Sequence, residues 1–213
     1  MRAYLDHIVI ASPSLEAGRE FIEKRLNVAI PYGGEHQMMG THNHVMPIGG
    51  GVYLEVIAIN PAQRPPERPR WFGLDDPYVR QQLEQGPRIL TWAVNTPDIS
   101  EMLNECEVSL GVPVPMQRGE LKWMIGVPED GHLPASGFLP HVIEWENESP
   151  VQQMSDPGFR LKSFAIYHPR VGWLNNHLAE LGLLDVVTTH STDQLPFFEI
   201  VLTNAEGKAV TIR

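Results

Sequence analysis

The sequence predicts an α+β fold of repeated βαβββ modules, two curling into a cup-shaped sheet and a shorter third following. Three observations predict it. First, a strand pattern ending in proline occurs three times: residues 5–13 read LDHIVIASP, 89–97 read ILTWAVNTP and 161–169 read LKSFAIYHP. Second, each proline is followed by apolar residues at helical spacing. Third, each helical stretch is followed by three shorter strand-like pieces. Self-similarity of this kind signals a duplicated unit.

The elements follow in order. The helices carry Leu15, Phe21, Ile22 and Leu26; then Ile99, Met102, Leu103 and Cys106; then Val171, Leu174, Leu178 and Leu181, stopped near Gly182. Proline suits a helix start, because its φ is preset and its missing N–H would be unpaired there. Ser12 and Thr96 are the expected N-caps. Strands are expected at 29–32, 40–48 and 52–57, at 114–117, 121–127 and 141–145, and at 186–188, 197–202 and 209–212. A sheet with a helix on one face leaves the other face seeking a partner. This divides the chain into a paired domain at 1–146 (module one 1–60, connection 61–87, module two 88–146), a linker at 147–159 and the third module at 160–213. The connection is rich in Pro and Arg and carries a short helix near 78–83.

Composition narrows the function. A net charge of −10 opposes binding to nucleic acid or anionic membranes. The single cysteine, Cys106, excludes a disulfide framework or a Cys-rich metal site. No signal peptide or membrane-length apolar run is seen, so a cytoplasmic address is expected. No Gly-rich phosphate loop occurs, so no nucleotide cofactor is implied.

Three segments in order, LDHIVIA, then GGEHQMMGTHNHVMPIGGGVYLEVIAIN, then FLPHVIEWEN, carry a resemblance. The chain resembles the vicinal oxygen chelate superfamily, and within it the glyoxalase-like domains, over residues 4–146; residues 160–213 look like a further module. The resemblance implies the glyoxalase/bleomycin-resistance/dioxygenase-like fold and a cup that often holds one divalent metal (zinc, manganese, nickel or iron). It implies ligands from the first and fourth strands of each module. Here those are His7, Glu55 and, in the second copy, Glu144, while Thr91 stands where a fourth ligand would be. That gap counts against an extradiol dioxygenase and against full glyoxalase I chemistry.

Other residues carry alternatives. Glu55 and Glu144 each sit between apolar neighbours and point away from them, into the cup or to solvent. His42 and His44 share a strand face; His44 is the one expected to touch a ligand and, with Glu55, to move a proton. His36 is expected to be exposed, and Trp92 and Trp145 to sit in the core. Trp123 is expected to line the cup. Arg70 and Trp71 belong either to a lid that closes over an anionic or aromatic ligand or to a solvated loop. The resulting functions are a metal-dependent lyase or isomerase of a small oxygen-rich molecule, or a metal-free protein that sequesters one. A third module without a partner either extends the sheet or packs on its copy in a homodimer.

Overall fold

The computed structural model describes residues 3–213. Module one comprises β1 (Tyr4–Ala11), α1 (Leu15–Leu26), β2 (Tyr32–His36), β3 (Thr41–Pro47) and β4 (Tyr53–Ile59). The connection carries α2 (Pro77–Leu83). Module two comprises β5 (Arg88–Asn95), α3 (Ile99–Glu105), β6 (Val112–Arg118), β7 (Leu121–Val127) and β8 (His141–Trp145). The last unit comprises β9 (Arg160–His168), α4 (Val171–Glu180), β10 (Thr188–Ser191), β11 (Phe197–Thr203) and β12 (Ala209–Ile212).

The strand–proline–helix turns of modules one and two share one construction, while Arg170 at the start of α4 makes no side-chain cap. Each helix starts two residues beyond the repeated proline, so the cap follows the proline. The Ser14 side chain accepts the Ala17 N–H in α1, and Asp98 accepts the Glu101 N–H in α3. Ser12 instead donates to the Ser14 carbonyl at 2.6 Å. A short side-chain oxygen after the proline satisfies an N–H that the first helical turn leaves free.

β1 to β8 form one sheet in the order β2-β3-β4-β1-β5-β8-β7-β6. In both modules the first strand lies parallel to the fourth, and the modules join through antiparallel β1 and β5. The sheet curls until its end strands meet. A Cβ on Gly34 of β2 would come within 2.7 Å of the Arg118 side chain of β6. β6 carries Pro113 and Pro115, which only an edge strand tolerates readily.

Both faces of this sheet are covered. The convex face carries Ile8, Ile10, Leu54, Trp92 and Val142, packed with Ile22 of α1 and Met102 of α3. The concave face carries Val9, Ile57, Val114, Trp123, Ile125 and Ile143. Trp71, Phe72 and Leu74 of the connection pack into that second core. The connection therefore enters the cup rather than lying solvated. It is pinned there by Gly73 N–H donating to the Gly131 carbonyl at 2.8 Å. Gly131 has φ 72°, and a Cβ there would sit 2.2 Å from the Arg70 carbonyl, so only glycine fits.

The last unit repeats the element order but not the strand order. Its sheet runs β10-β9-β11-β12, so its first strand pairs with its second and third. Its inner face neither extends the large sheet nor stays open. Phe164 packs edge-on to Trp92 at 5.4 Å, and Phe198 stacks on Phe138 at 4.7 Å. Among the described residues no helix is long and apolar enough to cross a membrane.

Candidate functional site

The concave face holds a cluster of polar side chains, almost all from module one. In β1, His7 and Val9 face the cup, and β4 aligns Tyr53 beside His7 and Glu55 beside Val9. The His7 ring stacks on Tyr53 at 4.7 Å. Its Nε2 lies 3.6 Å from Glu55 Oε2, and both side chains are nearly solvent-free.

Each of these two groups is held from behind. His7 Nδ1 bonds Asp6 Oδ1 at 2.6 Å, and Trp145 Nε1 donates to Asp6 Oδ2 at 2.8 Å. Strict alternation would aim Asp6 and His7 to opposite faces. The β1/β5 register shifts between Leu5 and His7, so Asp6 is the extra residue of a bulge and turns toward the cup side. On the other side, Asn43 donates to Glu55 Oε1 at 2.6 Å, and Arg118 donates to Asn43 Oδ1 at 3.1 Å. Arg118 crosses from the far end of the sheet, tying its two edges together. It also lies 3.4 Å from His36 Nε2, while His36 Nδ1 meets Thr41 Oγ1 at 3.0 Å.

The electrostatics follow from burial and neighbours. Burial disfavours a charged His7, but the hydrogen bond and charge of Asp6 and the charge of Glu55 outweigh it, and the pKa is raised. Burial, with the Asp6 and Glu55 charges adding, pushes Tyr53 well above the usual phenol value. Burial first, and the Arg118 charge second, drop His36 to about 3.

The register identifies the counterpart of each group in module two. Val9 aligns with Glu55, and Ala93, four residues before its proline like Val9, aligns with His141. His141, not Glu144, therefore occupies the position of Glu55. Glu144 lies on the opposite face from Ile143 and Trp145, and its Oε2 accepts the Ile99 N–H at the start of α3 at 2.8 Å. The expected equivalence of the two glutamates is thus corrected. His141 is fully buried with Nδ1 on the Gly126 carbonyl at 3.1 Å. Its Nε2 is a buried nitrogen without a hydrogen-bond partner, and burial lowers its pKa to about 4. Thr91 is buried, its hydroxyl donating to the Gly137 carbonyl at 3.2 Å.

Other expectations divide. Trp123 and Trp71 line the cup, and Trp145 lines it rather than the convex core. Trp92 does sit in the convex core. His44 does not line the cup: β3 turns Asn43 and Val45 inward, and the His44 ring meets Tyr32 edge-on at 5.7 Å. His36 is buried at 4% exposure rather than free in solvent. Arg70 is buried beside the cup, its guanidinium held by Asp75 at 2.7 Å. Arg118, Asn43, Asp6 and His141 were not singled out by the sequence. With Trp71 and Phe72 inserted, the cup retains a void of about 20 Å³, room for one or two water molecules.

Two divalent-cation donors are adjacent in the cup: His7, oriented through Nδ1 so that Nε2 faces inward, and Glu55 Oε2 at 3.6 Å from it. His141 Nε2 is a further buried nitrogen without a hydrogen-bond partner, but the ligand atoms of the three do not all lie within 4.8 Å of one another, so a cation would have to draw them together.

A hypothetical protein from Staphylococcus aureus shares this fold over the whole chain: it aligns with 100% of this chain and 99% of its own, at 12% identity and a TM-score of 0.68. A methylmalonyl-CoA epimerase from Mycobacterium tuberculosis aligns with 67% of this chain and 86% of its own, at 16% identity and a TM-score of 0.41. A mutant of 4-hydroxymandelate synthase from Streptomyces coelicolor aligns with 98% of this chain and 62% of its own, at 16% identity and a TM-score of 0.49. No curated protein matches the sequence. A family model described as a glyoxalase-like domain matches residues 5–182, far more than half of the chain, and the protein belongs to that family, within the vicinal oxygen chelate superfamily.

Proposed function

We propose that the cup binds a small oxygen-rich anion on a divalent cation held by His7, Glu55 and His141, and acts on it as a lyase or isomerase. One observation carries this reading: His7 Nε2 and Glu55 Oε2 face each other at 3.6 Å in a dry cup, each fixed from behind by a separate partner. The cation would polarise a carbonyl of the bound molecule. Glu55, whose Oε1 is anchored by Asn43, would take a proton from the adjacent carbon on Oε2 as that oxygen leaves the cation, and would return it to the neighbouring atom of the product. Arg118, half-buried at the sheet edge, neutralises the anion's charge. Trp71 and Phe72 withdraw to admit the molecule and then exclude water.

A second reading, a metal-free protein that sequesters a small ligand, is favoured by Thr91. It puts a hydroxyl, already engaged by the Gly137 carbonyl, where a fourth donor would stand. Elemental analysis of tag-free protein after reconstitution with zinc, manganese and iron separates the two. A metal content lower by one ion per chain in Glu55→Gln than in wild type and Glu144→Gln is the expected result. The same metal content in all three sinks the first reading and leaves the second.

A further inference from the structure

A second group of donors lies on the convex side, far from any role in the cup. Cys106 ends α3 in module two, and His177 and Glu180 stand one turn apart on α4 of the last unit. One ligand atom from each lies within 4.8 Å of the other two. The cysteine and histidine are buried, and the glutamate reaches solvent. Glu180 Oε2 takes His177 Nδ1 at 2.9 Å and also accepts the Glu107 N–H at 3.3 Å. The Trp173 ring meets His177 edge-on at 4.6 Å and holds the imidazole in place.

We infer that Cys106, His177 and Glu180 form a zinc-class cation site that staples the last unit to module two. The donor chemistry selects the ion. A thiolate and an imidazole prefer zinc-class ions to magnesium or calcium. The exposed side of Glu180 leaves the fourth, tetrahedral position to water. The two ligands at i and i+3 come from one helix, and the third comes from a separate module. A bound ion therefore links two parts of the chain that otherwise meet through side-chain packing and few hydrogen bonds here. Burial holds the free thiol near 11, so without the ion the cysteine stays protonated; the ion takes the place of that proton.

Cobalt titration of the full chain tests the site, because a thiolate ligand adds a near-ultraviolet charge-transfer band that histidine and carboxylate ligands lack. The expected result is a band saturating at one cobalt per chain, retained in Glu55→Gln and absent in Cys106→Ser. His177→Ala should weaken its affinity by at least about tenfold, since even indirect partners of metal ligands are worth about 10–100-fold. Folding of each variant is checked by circular dichroism. No thiolate band in folded wild type overturns the site. So does a band unchanged in His177→Ala, which would mark a lone thiol, or one that depends on Glu55.

Discussion

The two modules share a backbone plan and divide the labour within it. Module one gives the cup most of its titratable groups, Asp6, His7, His36 and Glu55, and module two adds His141 and Arg118. Module two lines its share of the cup with Trp123, Ile125, Ile143 and Trp145. At equivalent positions module two has Thr91 in place of His7 and His141 in place of Glu55. A duplicated scaffold can thus keep its geometry while one half carries most of the chemical groups and the other most of the apolar wall. The dry half is what strengthens the charges of the other, because a low-dielectric wall amplifies every electrostatic contact.

The largest effect expected from breaking this division is on the apolar half. Trp123 is 6% exposed and lies 5.3 Å from Trp145. Trp123→Ala should cost about 3–5 kcal/mol of stability, read from the urea unfolding midpoint. A change below 1 kcal/mol would show that the aromatic wall is not part of the core.

The next effect is on acid stability and involves a histidine from each half. His36 and His141 have pKa values depressed by burial to about 3 and about 4. The unfolded chain binds these protons near 6.5, so between 6.5 and those values the unfolded state holds more protons and stability rises with pH. Unfolding free energy should fall by several kcal/mol as pH is lowered through that window, at about 1.4 kcal/mol per unit for each histidine. His36→Gln should flatten the lower part of the curve. A wild-type curve flat from pH 7 to 4 would contradict the buried, neutral state of both rings.

The smallest expected effect isolates the support behind His7. Asp6 and Glu55 raise the His7 pKa against the pull of burial. The stabilisation from protonated His7 is therefore complete below its unfolded value and fades as pH rises through the folded one. Asp6→Asn should lower the His7 pKa seen by NMR titration and weaken metal binding by about 10–100-fold, leaving Glu55 in place. An unshifted His7 resonance would show that Asp6 acts on Trp145 alone.

Much of the fold was legible from the sequence, because the strand–proline–helix repeat is local and survives burial. The strand phases were not. An alternation rule assumes one wet face, but this sheet has an apolar core on each side. Ile143 and Trp145 were therefore expected to face the core and Glu144 the cup, when the two apolar residues themselves line the cup. His44 and Asn43 exchange faces for the same reason, since Val45 and Met46 are both apolar and both buried. Asp6 was hidden by a bulge, which no pattern of residue types announces. Arg118 became a site residue through closure of β2 onto β6, a contact between positions 82 residues apart. The last unit showed its element order but not its strand order, because pairing depends on which edge the neighbouring module leaves free.

The insertion of Trp71 and Phe72 has a consequence for any measured affinity. These rings are a tethered competitor, present at high effective concentration and covalently unable to diffuse away. On the proposed function a ligand would meet a cup open only a fraction of the time, and its apparent dissociation constant would be the intrinsic one divided by that fraction. Phe72 holds a left-handed backbone, φ 57°, at a cost of about 1 kcal/mol or more. The segment that fills the cup is thus held there against strain in its own backbone.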